Sequence, residues 1–263
     1  MRLIRTLICI WMFSCLFMAS GPYPSPGRCQ NRTSHRERTT YTFTYLGFPV
    51  AQGSIIISNS TDEDNSSVTM IETRASSSSP TSFLFKIDNR YTTTLDPETG
   101  FPLTYEKSII QSNFKEQTFL RFDQDQGTIY RNAVPCAFHP HPVHNVFSAL
   151  HHIINHSFGA KEVLAFPVYA AGHIWNVKIE AIGVEKITLP VGSFPAVLLE
   201  VEFCPSSSKD TLNIDTDVLT NRLIRGGKKT RLWISRGKQK SLLKGEYELY
   251  PTSLHMTLTE KGQ

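Results

Sequence analysis

The sequence lacks the short motifs that mark the common catalytic centres. Its 263 residues contain no Gly-x-Ser-x-Gly nucleophile elbow, no glycine-rich phosphate loop, no Cys-x-x-Cys pair and no His-Glu-x-x-His helix. Each of those patterns fixes a nucleophile, a phosphate cradle, a dithiol or a pair of zinc ligands in a defined local geometry. No catalytic centre can therefore be named from a motif, and an enzyme is the less favoured class of function.

The chain also lacks a large excess of charge of either sign. It holds 27 basic and 23 acidic residues, and two of the basic ones, Arg2 and Arg5, lie in the N-terminal segment described next. Proteins that bind nucleic acid usually carry a strongly basic surface. The near-neutral balance of the remaining chain excludes nucleic acid as an expected partner.

Only one long apolar run is present, and it lies at the N-terminus. Residues 1–20 combine Arg2 and Arg5, the apolar stretch Leu7–Met18 and a small-residue exit at Ala19–Gly21, which are the three parts of a secretory signal. The run is too short for an ordinary membrane-spanning helix. The apolar run continues past Cys15, which argues against a lipid-modified cysteine. Export is therefore predicted, with the signal cleaved or, as the alternative, retained as an anchor.

Cysteine is scarce. Outside the signal the chain has Cys29, Cys136 and Cys204, an odd number for a protein expected to enter an oxidising compartment. A disulfide between Cys136 and Cys204 is the simplest arrangement, although the sequence alone does not choose the pair.

The rest of the chain has the pattern of a β-rich domain. Residues 21–38 are rich in Pro, Gly, Ser and Arg and are interpreted as a disordered leader, and residues 39–263 as one folded domain. Within that domain, short segments such as Tyr41–Tyr45 and Trp175–Glu180 alternate apolar with polar residues, as strands with one buried face do. We predict an all-β fold, a single antiparallel curved sheet or barrel resembling a lipocalin in outline.

One helix is expected inside this sheet. Between Val143 and His156 the apolar residues recur every three or four positions, which is typical of an amphipathic helix. His152 and His156 lie four residues apart on one side of it, a spacing at which two imidazoles can share a metal ion. No third ligand lies nearby in the sequence, so solvated or hydrogen-bonded histidines are favoured and no metal or other cofactor is predicted.

A second candidate site is the basic segment Arg222–Lys244, which contains no acidic residue before Lys244. Lys228, Lys229 and Arg231 are its candidate contacts for an anionic lipid or glycan. The alternative is the charged outer face of a β-hairpin, where lysine commonly protects an exposed edge.

Several segments resemble a bacterial family of exported proteins called domain of unknown function 3108. They are Phe85–Thr93 followed by Leu95–Leu103, the helical His144–Leu150, the turn Val191–Ala196 and the strand Thr230–Ser235. In order along the chain they are similar to the family's polar corner, its helix, its turn and its last strand. The resemblance implies a periplasmic or envelope β-rich domain and carries over no catalytic residues.

The leading hypothesis is an exported protein of the periplasm, or of the periplasmic face of the envelope, that holds a lipid-like or apolar ligand inside a β-barrel without enzymatic activity. The first alternative is an exported hydrolase that uses the His-rich region. The second is a scaffold that binds another envelope protein.

Overall fold

The computed structural model describes residues 35–61, 67–78, 86–112, 114–139, 142–205, 217, 224, 229–249 and 252–262. The predicted signal at residues 1–20, most of the predicted leader, and Lys228 lie outside the described residues. Among the described residues, no helix is long and apolar enough to cross a bilayer.

The described chain forms strands and one helix. Their bounds are β1 His35–Tyr45, β2 Phe48–Thr61, β3 Ser67–Ser77, β4 Asp88–Leu95, β5 Pro102–Gln111, β6 Phe114–Asp123, β7 Thr128–Arg131, β8 Val134–Phe138, β9 His144–Asn145, α1 Val146–Asn155, β10 Val163–Ala170, β11 His173–Leu189, β12 Gly192–Pro205, β13 Lys229–Ser235, β14 Leu242–Leu249 and β15 Thr252–Gly262.

All of these strands belong to one sheet, in the order β8-β7-β6-β5-β4-β3-β2-β1-β15-β14-β13-β12-β11-β10-β9. Neighbouring strands are antiparallel, except β9 and β10, which are parallel. The first and last described strands, β1 and β15, are neighbours in the middle of the sheet. The predicted all-β class, one curved antiparallel sheet with an inserted helix, is confirmed.

The sheet curves until its two ends come into side-chain contact. The Tyr169 hydroxyl on β10 lies 3.5 Å from the Cys136 thiol on β8, and its ring is 6.2 Å from that of Phe122 on β6. The Gln124 amide donates a 3.1 Å hydrogen bond to the Val143 carbonyl just before β9. The described residues contain no ladder between β8 and β9, so the sheet approaches a barrel without closing.

The first strand begins earlier than the sequence indicates. Folding was expected to start near Thr39, yet β1 starts at His35, and the backbone of 35–38 pairs with Asn59 to Ile56 of β2. The polar composition of this segment hides the strand because a ladder uses backbone groups and requires no apolar side chain. Glu37 adds an ion pair of 3.2 Å to Lys261 of β15.

The helix is shorter than the predicted span of Val143–His156. His144 and Asn145 form β9 instead, paired with Val168 and Tyr169 of β10. The Asn145 side chain then caps α1, since its Oδ1 accepts hydrogen bonds from the amides of Phe147 at 3.0 Å and Ser148 at 2.8 Å. A residue that caps in this way has extended backbone, which sets the start of the helix at Val146.

Two apolar cores fill the inside of the curve. The larger is built on β10 to β15 and includes Trp175, Ile179, Leu199 and Leu242. The smaller is built on β4 to β7 and includes Tyr91, Ile109 and Ile129. The helix contributes to both, through Ala149 and Ile153 to the larger and through Phe147 to the smaller.

The helix lies at one end of the strands, which is called the helix end below. There His144 packs 4.5 Å from Phe101 in the β4–β5 connection, and Lys240 in the β13–β14 connection donates to the Asn155 and His156 carbonyls at 2.9 Å. The opposite end of the same strands is called the far end, and it includes the β1–β2 turn at Leu46 and Gly47.

The cap gives a test of how firmly α1 is held. Asn145 is fully buried, and its Nδ2 also donates to Thr93 Oγ1 of β4 at 3.2 Å. Replacing Asn145 with alanine removes the cap and leaves buried partners unpaired, so Asn145→Ala should lower the free energy of unfolding by about 1–3 kcal/mol. Urea denaturation measures this. Asn155→Ala, at an exposed position of the last turn, is the control and should change stability by less than about 0.5 kcal/mol; equal effects of the two variants would contradict the prediction.

Candidate ligand cavity

A cavity of about 890 Å³ lies between the inner face of the sheet and α1. Its wall is mostly apolar. The helix contributes Val146, Phe147, Leu150 and Ile153, and strands on the other side contribute Leu232, Leu254 and Met256. The cavity therefore has the helix as one wall and the two halves of the sheet as the others.

Small residues on β2 and β3 leave the room for this cavity. Ala51, Gly53 and Ala75 all line it, and Gly53 is the direct partner of Ala75 in the ladder. A Cβ at Gly53 would lie only 2.8 Å from Cε2 of Phe43, so the glycine lets the Phe43 ring lie across the strand. In the sequence these three are ordinary small residues of two segments that alternate apolar and polar positions. Only the pairing register of β2 with β3 shows that they lie on the same face of the sheet.

A buried carboxyl group lies beside the cavity wall. The hydroxyl of Tyr91, a lining residue, lies 3.1 and 3.0 Å from the two carboxyl oxygens of Asp217. The Asn89 amide donates to the same hydroxyl at 3.0 Å. Asp217 is 1 % exposed. Burial, with the neighbouring Asp217, raises the pKa of Tyr91 and of Tyr105 well above its usual range.

Sequence reasoning did not identify Asp217. It lies in the β12–β13 connection in the segment Ile214-Asp215-Thr216-Asp217-Val218, where nothing local distinguishes it from Asp215. Acidic residues alternating with Thr216 between Ile214 and Val218 are equally typical of a surface turn.

The histidines of the helical region form a column with aromatic rings. His144 lies 5.1 Å from His152, and His152 lies 6.2 Å from His156. Phe166 packs against both His144 at 5.1 Å and His152 at 5.2 Å. At the end of the column, His156 Nε2 lies 2.7 Å from Glu162 Oε1. The predicted pair His152 and His156 is therefore on one side of the helix, within a longer stack.

The surroundings of His144, His151 and His152 favour neutral rings. Burial, with the nearby His152 and His151, lowers the pKa of His144 to about 3. Burial and neighbouring histidines also lower the pKa of His151 and of His152. Within the described parts of the chain, no group of three His, Cys, Asp or Glu side chains has the arrangement of a metal site.

Comparison with protein families assigns the chain. The family model described as Protein of unknown function (DUF3108) matches residues 40–259, most of the sequence and nearly all of the described sheet. The chain belongs to the DUF3108 family. The resemblance inferred from the sequence segments is thereby confirmed.

A solved structure shares the fold of this DUF3108 domain. It is the crystal structure of a beta-barrel-like protein of domain of unknown function DUF1849 from Brucella abortus, with a TM-score of 0.52 at 9 % sequence identity. The match covers 86 % of this chain and 96 % of that one. At such low identity the likeness concerns the fold alone. A comparison with curated proteins gave no significant match.

The basic candidates of the DUF3108 domain are paired on the sheet. Lys229 Nζ lies 2.7 Å from Glu200 Oε2, and Arg231 Nε lies 3.4 Å from Glu200 Oε1. The hydrogen bond from Lys229 lowers the pKa of Glu200 and in turn raises that of Lys229. Glu200 was not considered at the sequence level because it comes from β12, which pairs with β13 only in the fold. Lys228 lies outside the described residues.

The cysteines expected to form a disulfide are both free thiols. Cys136 is exposed on β8 and Cys204 is half-buried on β12. β8 and β12 are far apart in the sheet, whose order from one to the other is β8-β7-β6-β5-β4-β3-β2-β1-β15-β14-β13-β12. Cys204 is paired through the backbone with Asn176 of β11, whereas the thiol of Cys136 is beside Tyr169.

The column predicts a pH dependence of stability. His144 is 3 % exposed and faces Phe101, Ser148, His152 and Phe166. Because its pKa falls from 6.5 to about 3 on folding, below pH 6.5 the unfolded chain takes up a proton that the folded one does not. Stability is therefore lost as the pH falls from about 6.5 towards 3, by up to about 1.4 kcal/mol per pH unit for this group.

His144→Phe should flatten that slope. The ring packing is retained and the titrating group is removed, so the variant should lose about 1–2 kcal/mol less than the parent between pH 6.5 and 5. Urea denaturation at several pH values measures it. Parallel slopes for the parent and His144→Phe would contradict the prediction.

Proposed function

We propose that this chain is an exported envelope protein that binds a lipid-like or other apolar molecule in the cavity beside α1, without enzymatic activity. The observation that carries the proposal is the cavity of about 890 Å³ with its mostly apolar wall. Small-molecule sites occupy about 300–1,000 Å³. Because protein interiors are otherwise close-packed and empty apolar cavities lower stability, an occupant is the simplest account of such a space.

Two hydroxyl groups favour an amphipathic ligand over a pure hydrocarbon. Thr73 and Thr230 line the cavity, and their Oγ1 atoms are buried with no hydrogen-bond partner among the described residues. A buried polar atom without a partner costs free energy. A ligand that has one hydrogen-bonding group on a long apolar body would satisfy such a hydroxyl and fill the rest of the cavity.

The hydrolase alternative has weaker support. A serine meets a histidine of the column where Ser148 Oγ lies 3.2 Å from His144 Nδ1. Ser148 is fully buried, and its hydroxyl already bonds the Asn145 backbone. A nucleophile must reach its substrate, so this pair is better suited to fixing the start of α1.

The scaffold alternative is supported by one observation. Strand β8 lies at an edge of the sheet and exposes the large side chains of Val134 and Phe138, and exposed apolar edges commonly pair with other chains. Pull-down from envelope extract tests it. Charge reversal at Lys228, Lys229 and Arg231 asks whether the basic segment contributes.

Export to the periplasm, or to the periplasmic face of the envelope, remains part of the proposal. Its support is the signal-like sequence of residues 1–20. Fractionation of an expressing cell, with mass measurement of the purified chain, distinguishes a cleaved signal from a retained anchor.

Blocking the cavity tests ligand binding. Ala75 is buried and lines the cavity, so Ala75→Leu and Ala75→Phe should fill it progressively and lower the amount of co-purifying apolar molecule, by about tenfold for the larger side chain. Native mass spectrometry with organic extraction measures the bound fraction before and after denaturation.

Ser76→Phe is the control for this experiment. Ser76 is the next residue of β3, and alternate side chains of a strand point to opposite faces, so its ring should leave the bound fraction unchanged. An extract of the parent protein that contains no apolar molecule, together with no binding of added fatty acid or phospholipid, would overturn the proposal.

A further inference from the structure

The β1–β2 turn exposes large apolar side chains at the far end of the sheet. Leu46 is 58 % exposed and Phe48 is 72 % exposed, and Pro49 beside them is also exposed. Single exposed apolar residues are ordinary on protein surfaces. Here three of them, Leu46, Phe48 and Pro49, are separated only by Gly47 and lie at the two-residue turn at the end of the hairpin.

The backbone of this turn makes the leucine an unusual choice. Tyr45 pairs with Phe48, and the two residues between them have positive φ, 52° at Leu46 and 81° at Gly47. Hairpin turns of this kind favour Asn-Gly or Asp-Gly because bulky residues rarely adopt positive φ. A leucine here is unfavourable for the turn and is exposed to water, so folding alone does not account for it.

The same hairpin is free of charge over a long stretch. Between Arg38 and Asp62 the sequence contains no Asp, Glu, Lys, Arg or His, and this stretch includes the second part of β1, from Thr39 to Tyr45, and all of β2. The strand beside it begins Thr252-Ser253-Leu254, also uncharged, with Leu254 opposite Tyr45. Charged side chains are costly in the apolar part of a bilayer, and the tip has none; the nearest in the ladders are Arg74, opposite Ser54, and Glu248, opposite Ser253.

The exposed tip is continuous with the cavity wall. Directly paired residues of an antiparallel ladder project to the same face, so Phe48 lies on the same side of the sheet as Tyr45. Tyr45 lines the cavity, as do Val50 and Leu254 at this end of the strands. An apolar path therefore leads from the tip to the cavity, at the end opposite α1.

We propose that the tip Leu46–Pro49 inserts into the surface of a lipid bilayer and there gives an apolar ligand its route between the bilayer and the cavity. The route rests on the proposed function of the cavity, whereas insertion rests on the tip alone. A protein partner is the weaker choice because stable protein interfaces bury about 800 Å² on each side, far more than one turn offers. A fluid bilayer surface accepts a few apolar side chains without a matching shape.

Vesicle flotation tests insertion. The purified protein should float with phosphatidylcholine vesicles, and equally with vesicles that also contain phosphatidylglycerol, because the tip carries no charge. The double variant Leu46→Asn with Phe48→Thr should reduce the floating fraction at least about tenfold, since two large apolar side chains no longer leave water. It also creates an Asn-Gly turn, so its thermal midpoint should be unchanged or higher, which separates loss of binding from loss of fold.

Phe138→Asn is the matched control. Phe138 is 74 % exposed on β8, at the helix end, and its replacement should leave flotation unchanged. Flotation that requires phosphatidylglycerol and is abolished by high salt would place binding in a basic surface and overturn the proposal, as would equal flotation of the parent and the double variant.

A second measurement is independent of any N-terminal anchor. Phe48→Trp keeps the tip apolar and adds a fluorophore, whose emission should shift to the blue on vesicles and be quenched by brominated lipid chains. The native Trp175 and Trp233 are buried, Trp11 lies in the predicted signal, and the parent protein provides the background of all three. No additional quenching in Phe48→Trp would overturn insertion.

Insertion without any co-purifying or exchangeable ligand would instead overturn the cavity function and leave the tip as a membrane contact.

Discussion

The structure depends on one long-range ladder, the pairing of the first strand with the last. β1 and β15 pair from Arg38 with Gly262 to Tyr45 with Leu254, and this ladder joins the half-sheet β2 to β8 to the half-sheet β9 to β14. Otherwise the two halves are linked by the chain between β8 and β9 and by side-chain contacts. The Tyr41 hydroxyl reinforces the join by donating to the Leu242 carbonyl at 3.1 Å. Such distant pairing has a high entropic cost and forms slowly.

That ladder also explains where the empty space lies. Large residues such as Trp175 and Leu199 fill the inner face of the second half, whereas β2 and β3 in the first half present Ala51, Gly53 and Ala75. Joining a half with large inner residues to strands with small ones leaves space beside the join. The helix then occupies the helix end and does not extend into all of that space.

Local pattern was sufficient to predict much of the fold and little of the site. Alternation identified the strands, and the three-and-four spacing identified α1, because both depend on neighbouring residues alone. Lys229 pairs with Glu200 of another strand, and Asp217 is buried against Tyr91 of β4. Both depend on contacts between distant segments, which the periodicity of the sequence does not show. The start of β1 at His35 was missed for a related reason, since its evidence is backbone pairing with Asn59 rather than side-chain hydropathy.

The helix connects the cavity to the histidine column, and this has a thermodynamic consequence. Phe147, Leu150 and Ile153 face the cavity, while His152 of the same helix stacks on His144 and Phe166 at the helix end. The contacts of the histidine column that keep α1 packed against the sheet therefore also keep one wall of the cavity in place. Because a bound ligand stabilises the folded state by mass action, an occupied cavity should resist loss of α1 at low pH better than an empty one, although no histidine touches the cavity wall among the described residues.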